Sequence, residues 1–143
     1  GICSPGLSTS YAIALKVRDI LADSMLLDYN VNFNPYREKP IVINDLNPAG
    51  IDDIIKSDKT YGRIVCRCEK ITEGEIRGSL TSPVPAKDLD GVKRRVRAGM
   101  GRCQGGFCMQ RVMELICEVN GERMSDVTKN GDGSFITTGK IFE

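Results

Sequence analysis

Apolar side chains return every three to four positions from residue 7 onward, at Leu7, Tyr11, Ala14, Val17, Leu21 and Met25. That is the period of one helix face. Ser4 before Pro5 reads as an N-cap followed by proline at N1, so a helix is predicted over 5–27. The rhythm then lapses. Residues 30–50, NVNFNPYREKPIVINDLNPAG, hold three prolines and several asparagines around a short apolar run and read as a connector with one strand. Asn47 with Pro48 at N1 opens a short predicted helix through Lys56.

The segment YGRIVCRC at 61–68 is extended in character. In the next stretch Thr72 is placed as N-cap with Glu75 at N3, a capping box, flanked by Ile71 and Ile76 as a hydrophobic staple. SPVPAKD ends that helix, and Asp88 caps another whose apolar face is Leu89, Val92 and Val96. A third helix is predicted over 106–119, with Met109, Val112, Met113 and Ile116 inward and Asn120 and Gly121 at its end. The tail, NGDGSFITTGKI, predicts one strand. No internal repeat or low-complexity run occurs. The pattern is that of an α+β, mainly helical chain with short strands.

Composition narrows the function. The chain has 143 residues, 41% hydrophobic and 27% charged, enough for one compact domain or two small ones. Its net charge of +1 offers no overall attraction to nucleic acid or an acidic membrane. A basic cluster, KRRVR, stands at 93–97. No apolar run nears the roughly 18 residues of a membrane span and no signal peptide is evident, so a cytoplasmic location is expected. The opening GICSPGLSTS carries no initiator methionine and reads as a piece of a longer protein. Histidine is absent. That excludes Ser-His-Asp and Cys-His catalysis, mixed Cys/His zinc fingers and the two-His Rieske centre.

Any metal site must therefore be thiolate-rich. Of six cysteines, Cys66, Cys68, Cys103 and Cys108 form a pattern, C-x-C and then C-x-x-x-x-C. In an extended segment residues i and i+2 point to one side, so Cys66 and Cys68 can serve one centre. Glycines 99, 101, 105 and 106 let the second pair curl inward with backbone N–H groups facing it. Four thiolates suit a 2Fe-2S cluster, whose net charge of about −2 when oxidised matches glycine amides at a helix N-terminus. Arg63, Arg67, Arg94, Arg95, Arg97 and Arg102 crowd the motif, either easing reduction or forming a solvated face. Zinc is the competing occupant, although its usual knuckle is C-x-x-C. Disulfides are a third reading, disfavoured in a reducing compartment. Cys117 is expected to pack inward on the third helix and Cys3 to be a small buried residue.

YGRIVCRCEKITEGEI and LDGVKRRVRAGMGRCQGGFC together resemble the 2Fe-2S-binding domain first described in bacterioferritin-associated ferredoxin. They resemble most the version appended to FAD-dependent, anaerobic-type glycerol-3-phosphate dehydrogenases. The resemblance covers about residues 60–118 and implies that Cys66, Cys68, Cys103 and Cys108 are the cluster ligands. GICSPGLSTSYAIA is similar to the last FAD-contacting segment of the glycine-oxidase-like flavoenzyme fold. That similarity implies FAD contacts at Ser4, Gly6 and Leu7, with Gly1 also permitting close approach.

On this footing residues 1–58 are the end of a flavin domain plus connector, and 59–143 a BFD-like 2Fe-2S domain with a tail. The resemblance implies an electron-transfer module of a flavin-dependent dehydrogenase that oxidises glycerol 3-phosphate to dihydroxyacetone phosphate. The alternative is a zinc-binding or apo docking module that recruits a partner subunit. The dinucleotide fingerprint G-x-G-x-x-G is missing, so the fragment is not expected to hold FAD or to be active alone. Its expected partners are the parent's flavin domain, a partner subunit or electron acceptor and, through an exposed stripe on the first helix, a second copy.

Overall fold

The computed structural model describes residues 3–139; Gly1 and the last residues of the tail, 140–143, lie outside them. The chain forms two compact units, Gly1–Glu38 and Lys39–Glu143.

In the first unit one helix, α1 (Gly6–Ser24), follows the predicted period but is shorter at both ends. Ser4 does not cap it. Pro5 occupies the N-cap position with no side-chain bond, and the hydroxyls of Ser8 and Thr9 each donate to the Pro5 carbonyl at 3.0 Å. At the other end Met25 is extended, because the Ser24 hydroxyl turns back to the Ile20 carbonyl and the apolar rhythm gives way to LLDYN. No residue of α1 is buried, and Leu7 and Tyr11 are among its most exposed side chains. Cys3 is exposed as well, contrary to expectation, since nothing in its short turn covers it.

The second unit carries the core. Helix α2 (Pro48–Ser57) begins as predicted, with the Asn47 side chain accepting from the Gly50 N–H at 2.8 Å. Strands β1 (Ile64–Cys66) and β2 (Ile71–Thr72) form an antiparallel hairpin with an irregularity between Ile64 and Cys66. Helix α3 (Glu73–Thr81) starts directly from β2 through the expected capping box. The Glu75 carboxylate accepts from the Thr72 N–H and hydroxyl at 2.8 and 2.7 Å, and from the Ile43 N–H at 3.3 Å. Residues ahead of α2 thereby share the unit of the hairpin. Gly74 is tightly placed: a Cβ there would stand 2.6 Å from the Tyr61 ring, so glycine lets the ring lie flat on α3.

Helix α4 (Leu89–Val96) is capped by Asp88, whose side chain accepts from the Gly91 N–H. Helix α5 (Met109–Asn120) ends in a left-handed Gly121, as foreseen. It begins three residues later than predicted, because residues 101–108 stay in consecutive turns. Its buried face is Val112, Met113, Leu115 and Ile116, packed with Ile76, Leu80 and Val92. Met109 is exposed instead, and Leu115, unforeseen, is buried, since the stripe is wider than a single i, i+3, i+4 row. Among the described residues the predicted tail strand reduces to one bridge, Thr128 with Phe135, around the turn-forming NGDG. The Thr128 and Lys129 carbonyls accept from the Leu89 and Asp90 N–H groups, clasping the start of α4. The unit is a small, mainly helical α+β domain. Among the described residues no helix is long and apolar enough to cross a membrane.

Candidate metal centre

Four thiols line one cavity of about 210 Å³, together with Arg67 and Phe107. They are Cys66, Cys68, Cys103 and Cys108, so the hairpin and the glycine-rich loop before α5 meet at this point. The local route differs from the expected extended C-x-C. Only Cys66 lies on β1; Cys68 sits in the turn over 67–70, which closes through a left-handed Lys70 at φ 56°. Cys66 is consequently buried and Cys68 exposed.

On the loop side the chain leaves α4 through a left-handed Arg97 and passes through Gln104 and Gly105, at φ 49° and 89°. This double left-handed step needs glycine at its second position. The Gly106 N–H donates to the Cys103 carbonyl at 2.9 Å, and the Cys103 thiol is held below its ordinary value by the Phe107 backbone amide foremost, and by Cys68. Cys108 is the N-cap residue of α5, where the helix dipole favours an anion. Burial nevertheless pushes its thiol up to about 11, with the neighbouring Cys66 adding to the effect.

Cys68 and Cys103 stand 3.6 Å apart, and the buried Cys66 and Cys108 line the same cavity. Among the described residues no three thiol or carboxylate side chains close in on a single point. Four thiols around one cavity match the donor set of a two-iron cluster, in which each iron takes two thiolates.

The six arginines divide by role. Arg63 pairs with Glu73 at 3.0 Å and Arg97 with Glu69 at 2.8 Å. Arg94 reaches Asp90 and Asn130, while Arg95 donates to the Gly91 and Val84 carbonyls. Arg67 borders the cavity and Arg102 adjoins Cys103, and neither has an ion-pair partner among the described residues. Cys117 stands outside the cavity, half-buried on α5 against the core.

Sequence reasoning missed Glu73. Its side chain is only 3% exposed and meets Arg63, Arg77 at 2.9 Å and Arg111 at 3.4 Å. Arg63 leads into β1 and Arg111 follows Cys108, so this carboxylate ties together the elements that present the two buried cysteines. The i, i+4 spacing of Glu73 and Arg77 was readable; the approach of Arg111 from α5 was not. Phe107 was missed too, because an aromatic in a glycine loop gives no periodic signal. In the other unit, Ser4 and Leu7 are exposed and Gly6 is half-buried, its N–H donating to the Cys3 carbonyl at 2.6 Å.

Residues 64–118 match the family described as BFD-like 2Fe-2S binding domain. The chain is 48% identical over 140 residues to a glycerol 3-phosphate dehydrogenase of Caloramator mitchellensis, a match covering 97% of this chain and 29% of that protein. It is 32% identical over 76 residues to one subunit of the anaerobic glycerol-3-phosphate dehydrogenase of Escherichia coli K12, 53% of this chain and 13% of the relative. It is 36% identical over 76 residues to one subunit of the opine oxidase of Rhizobium meliloti strain 1021, 53% of this chain and 15% of the relative. The chain thus spans less than a third of the length of these curated relatives. No solved structure matches it.

Proposed function

Because residues 64–118 are a BFD-like 2Fe-2S binding domain, we propose that the chain is the electron-transfer module of a flavin-dependent dehydrogenase. Cys66, Cys68, Cys103 and Cys108 are its cluster ligands. The observation that carries this reading is that all four cysteines of the matched 2Fe-2S segment line one cavity, which supports a two-iron group over a single zinc. A 2Fe-2S cluster, when bound, takes up and gives back one electron at a time. The chain's own part is to supply four thiolates, to stabilise the Cys103 thiolate with backbone amides, Phe107 foremost, and to shelter Cys66 and Cys108 from water.

The parent reaction is oxidation of glycerol 3-phosphate to dihydroxyacetone phosphate at FAD, supported by 48% identity along nearly the whole chain. In this assignment residues 1–58 close the flavin domain and 59–143 form the cluster domain. Ser4, Gly6 and Leu7 contribute FAD contacts completed by the rest of the parent. The exposed stripe of α1 packs on that flavin domain, and a second copy covers it when the fragment is alone. The proposed location of the parent is the cytoplasm, where thiolate ligands stay reduced.

Anaerobic reductive titration tests the proposal. Visible bands that bleach with one electron per chain, accompanied by a paramagnetic signal, are expected. Colourless protein with one zinc per chain overturns it.

A further inference from the structure

Phe107 is 88% exposed although it lines the cavity of the four cysteines. A bare aromatic ring in a loop is an unspent source of burial energy and, at interfaces, a frequent anchor. Its surroundings are cationic. Arg67 and Lys70 lie in the same turn as the exposed Cys68, and Arg102 precedes Cys103; all three are exposed without ion-pair partners among the described residues. The nearby carboxylate of Glu69 is already engaged by Arg97 at 2.8 Å.

Buried Cys66 and Cys108 face the core, so Cys68 and Cys103 form the side of the site nearest solvent. Electron transfer falls off steeply with distance, and an acceptor must approach on that side. We infer that Phe107, with Arg67 in the same cavity lining and Lys70 and Arg102 on the turns that carry Cys68 and Cys103, is the docking face for a separate electron-transfer protein with an acidic rim around its own redox centre. The inference rests on the cluster reading above and adds the partner's chemistry. The ring supplies the apolar anchor, and the cations steer encounter and fix orientation.

The test uses the cluster-loaded chain, chemically reduced and freed of reductant, mixed rapidly with two one-electron acceptor proteins of high potential: acidic plastocyanin and basic cytochrome c. At low salt the acidic probe is expected to react at least tenfold faster than the basic one, with a rate constant that falls as salt rises. Joint Arg67→Glu and Arg102→Glu substitution should lower the plastocyanin rate at least tenfold and reverse its salt dependence. Phe107→Ser should lower it several-fold with the salt dependence intact. Iron content and the visible spectrum are measured for every variant, and rates are compared per bound cluster. A coloured protein that reacts faster with cytochrome c, or is indifferent to salt and to charge reversal, overturns the docking face alone. A preparation without cluster bands overturns the reading beneath it, and the docking face with it.

Discussion

Gly101 leaves the space that Cys68 fills: a methyl group on Gly101 would stand 2.2 Å from the Cys68 Cβ and 3.4 Å from its sulfur. No real pair of carbons tolerates the first distance, so Gly101→Ala must push the hairpin turn and the cysteine loop apart. Overpacking of this kind costs about 1–3 kcal/mol. The expected result is a helical far-UV spectrum like that of the parent chain, with iron content reduced at least severalfold. Full iron retention in the alanine variant would contradict the close approach.

The proposed ligand set divides the cysteines sharply. Cys66→Ser and Cys108→Ser should each abolish cluster retention, whereas Cys117→Ser, on the core side of α5, should leave iron and visible absorbance unchanged. Loss of iron in the Cys117 variant alone would refute the assignment.

Glu73 makes stability depend on pH. Burial pushes its carboxyl up, but hydrogen bonds from Arg77 and Arg111 and the charge of Arg63 hold it below the ordinary range. A depressed folded value adds stability that is complete above the unfolded value of about 4.3 and is lost as pH falls through the folded one. Glu73→Gln should cost about 2 kcal/mol near pH 7, less than the roughly 3–5 of a fully buried pair because its arginines reach solvent. The deficit should shrink below about pH 4. Urea unfolding at both pH values reads it, and a deficit independent of pH would show that the charge is not responsible.

The thiols of the cluster-free, reduced chain should alkylate unequally. Cys103 is held low by backbone amides and Cys108 is pushed up to about 11. At pH 8 the latter is thiolate in roughly one molecule in a thousand. Iodoacetamide labelling followed by peptide mapping should find Cys103 modified at least tenfold faster than Cys108. Equal rates would contradict this ordering of the two thiols.

What the sequence disclosed and what it hid follow from range. The Thr72–Glu75 capping box and the Asp88 and Asn47 caps rest on contacts three residues apart, so a linear reading finds them. The four cysteines were legible because spacing and glycine content alone gather them. Contacts that cross between elements were not: Glu73 gathers arginines from the approach to β1, from α3 and from α5, and Gly101 meets Cys68 across 33 positions of chain. Helix α1 was read with correct period and wrong cap, because Pro5 takes the N-cap position and Ser4 lies in the turn before it.

The central claim is that Cys66, Cys68, Cys103 and Cys108 together hold a two-iron cluster. Metal and acid-labile sulfide analysis of anaerobically prepared protein, with a visible spectrum, tests it most directly. The account predicts two irons and two sulfides per chain with bands that bleach on reduction. One zinc per chain, no sulfide and no colour would contradict it.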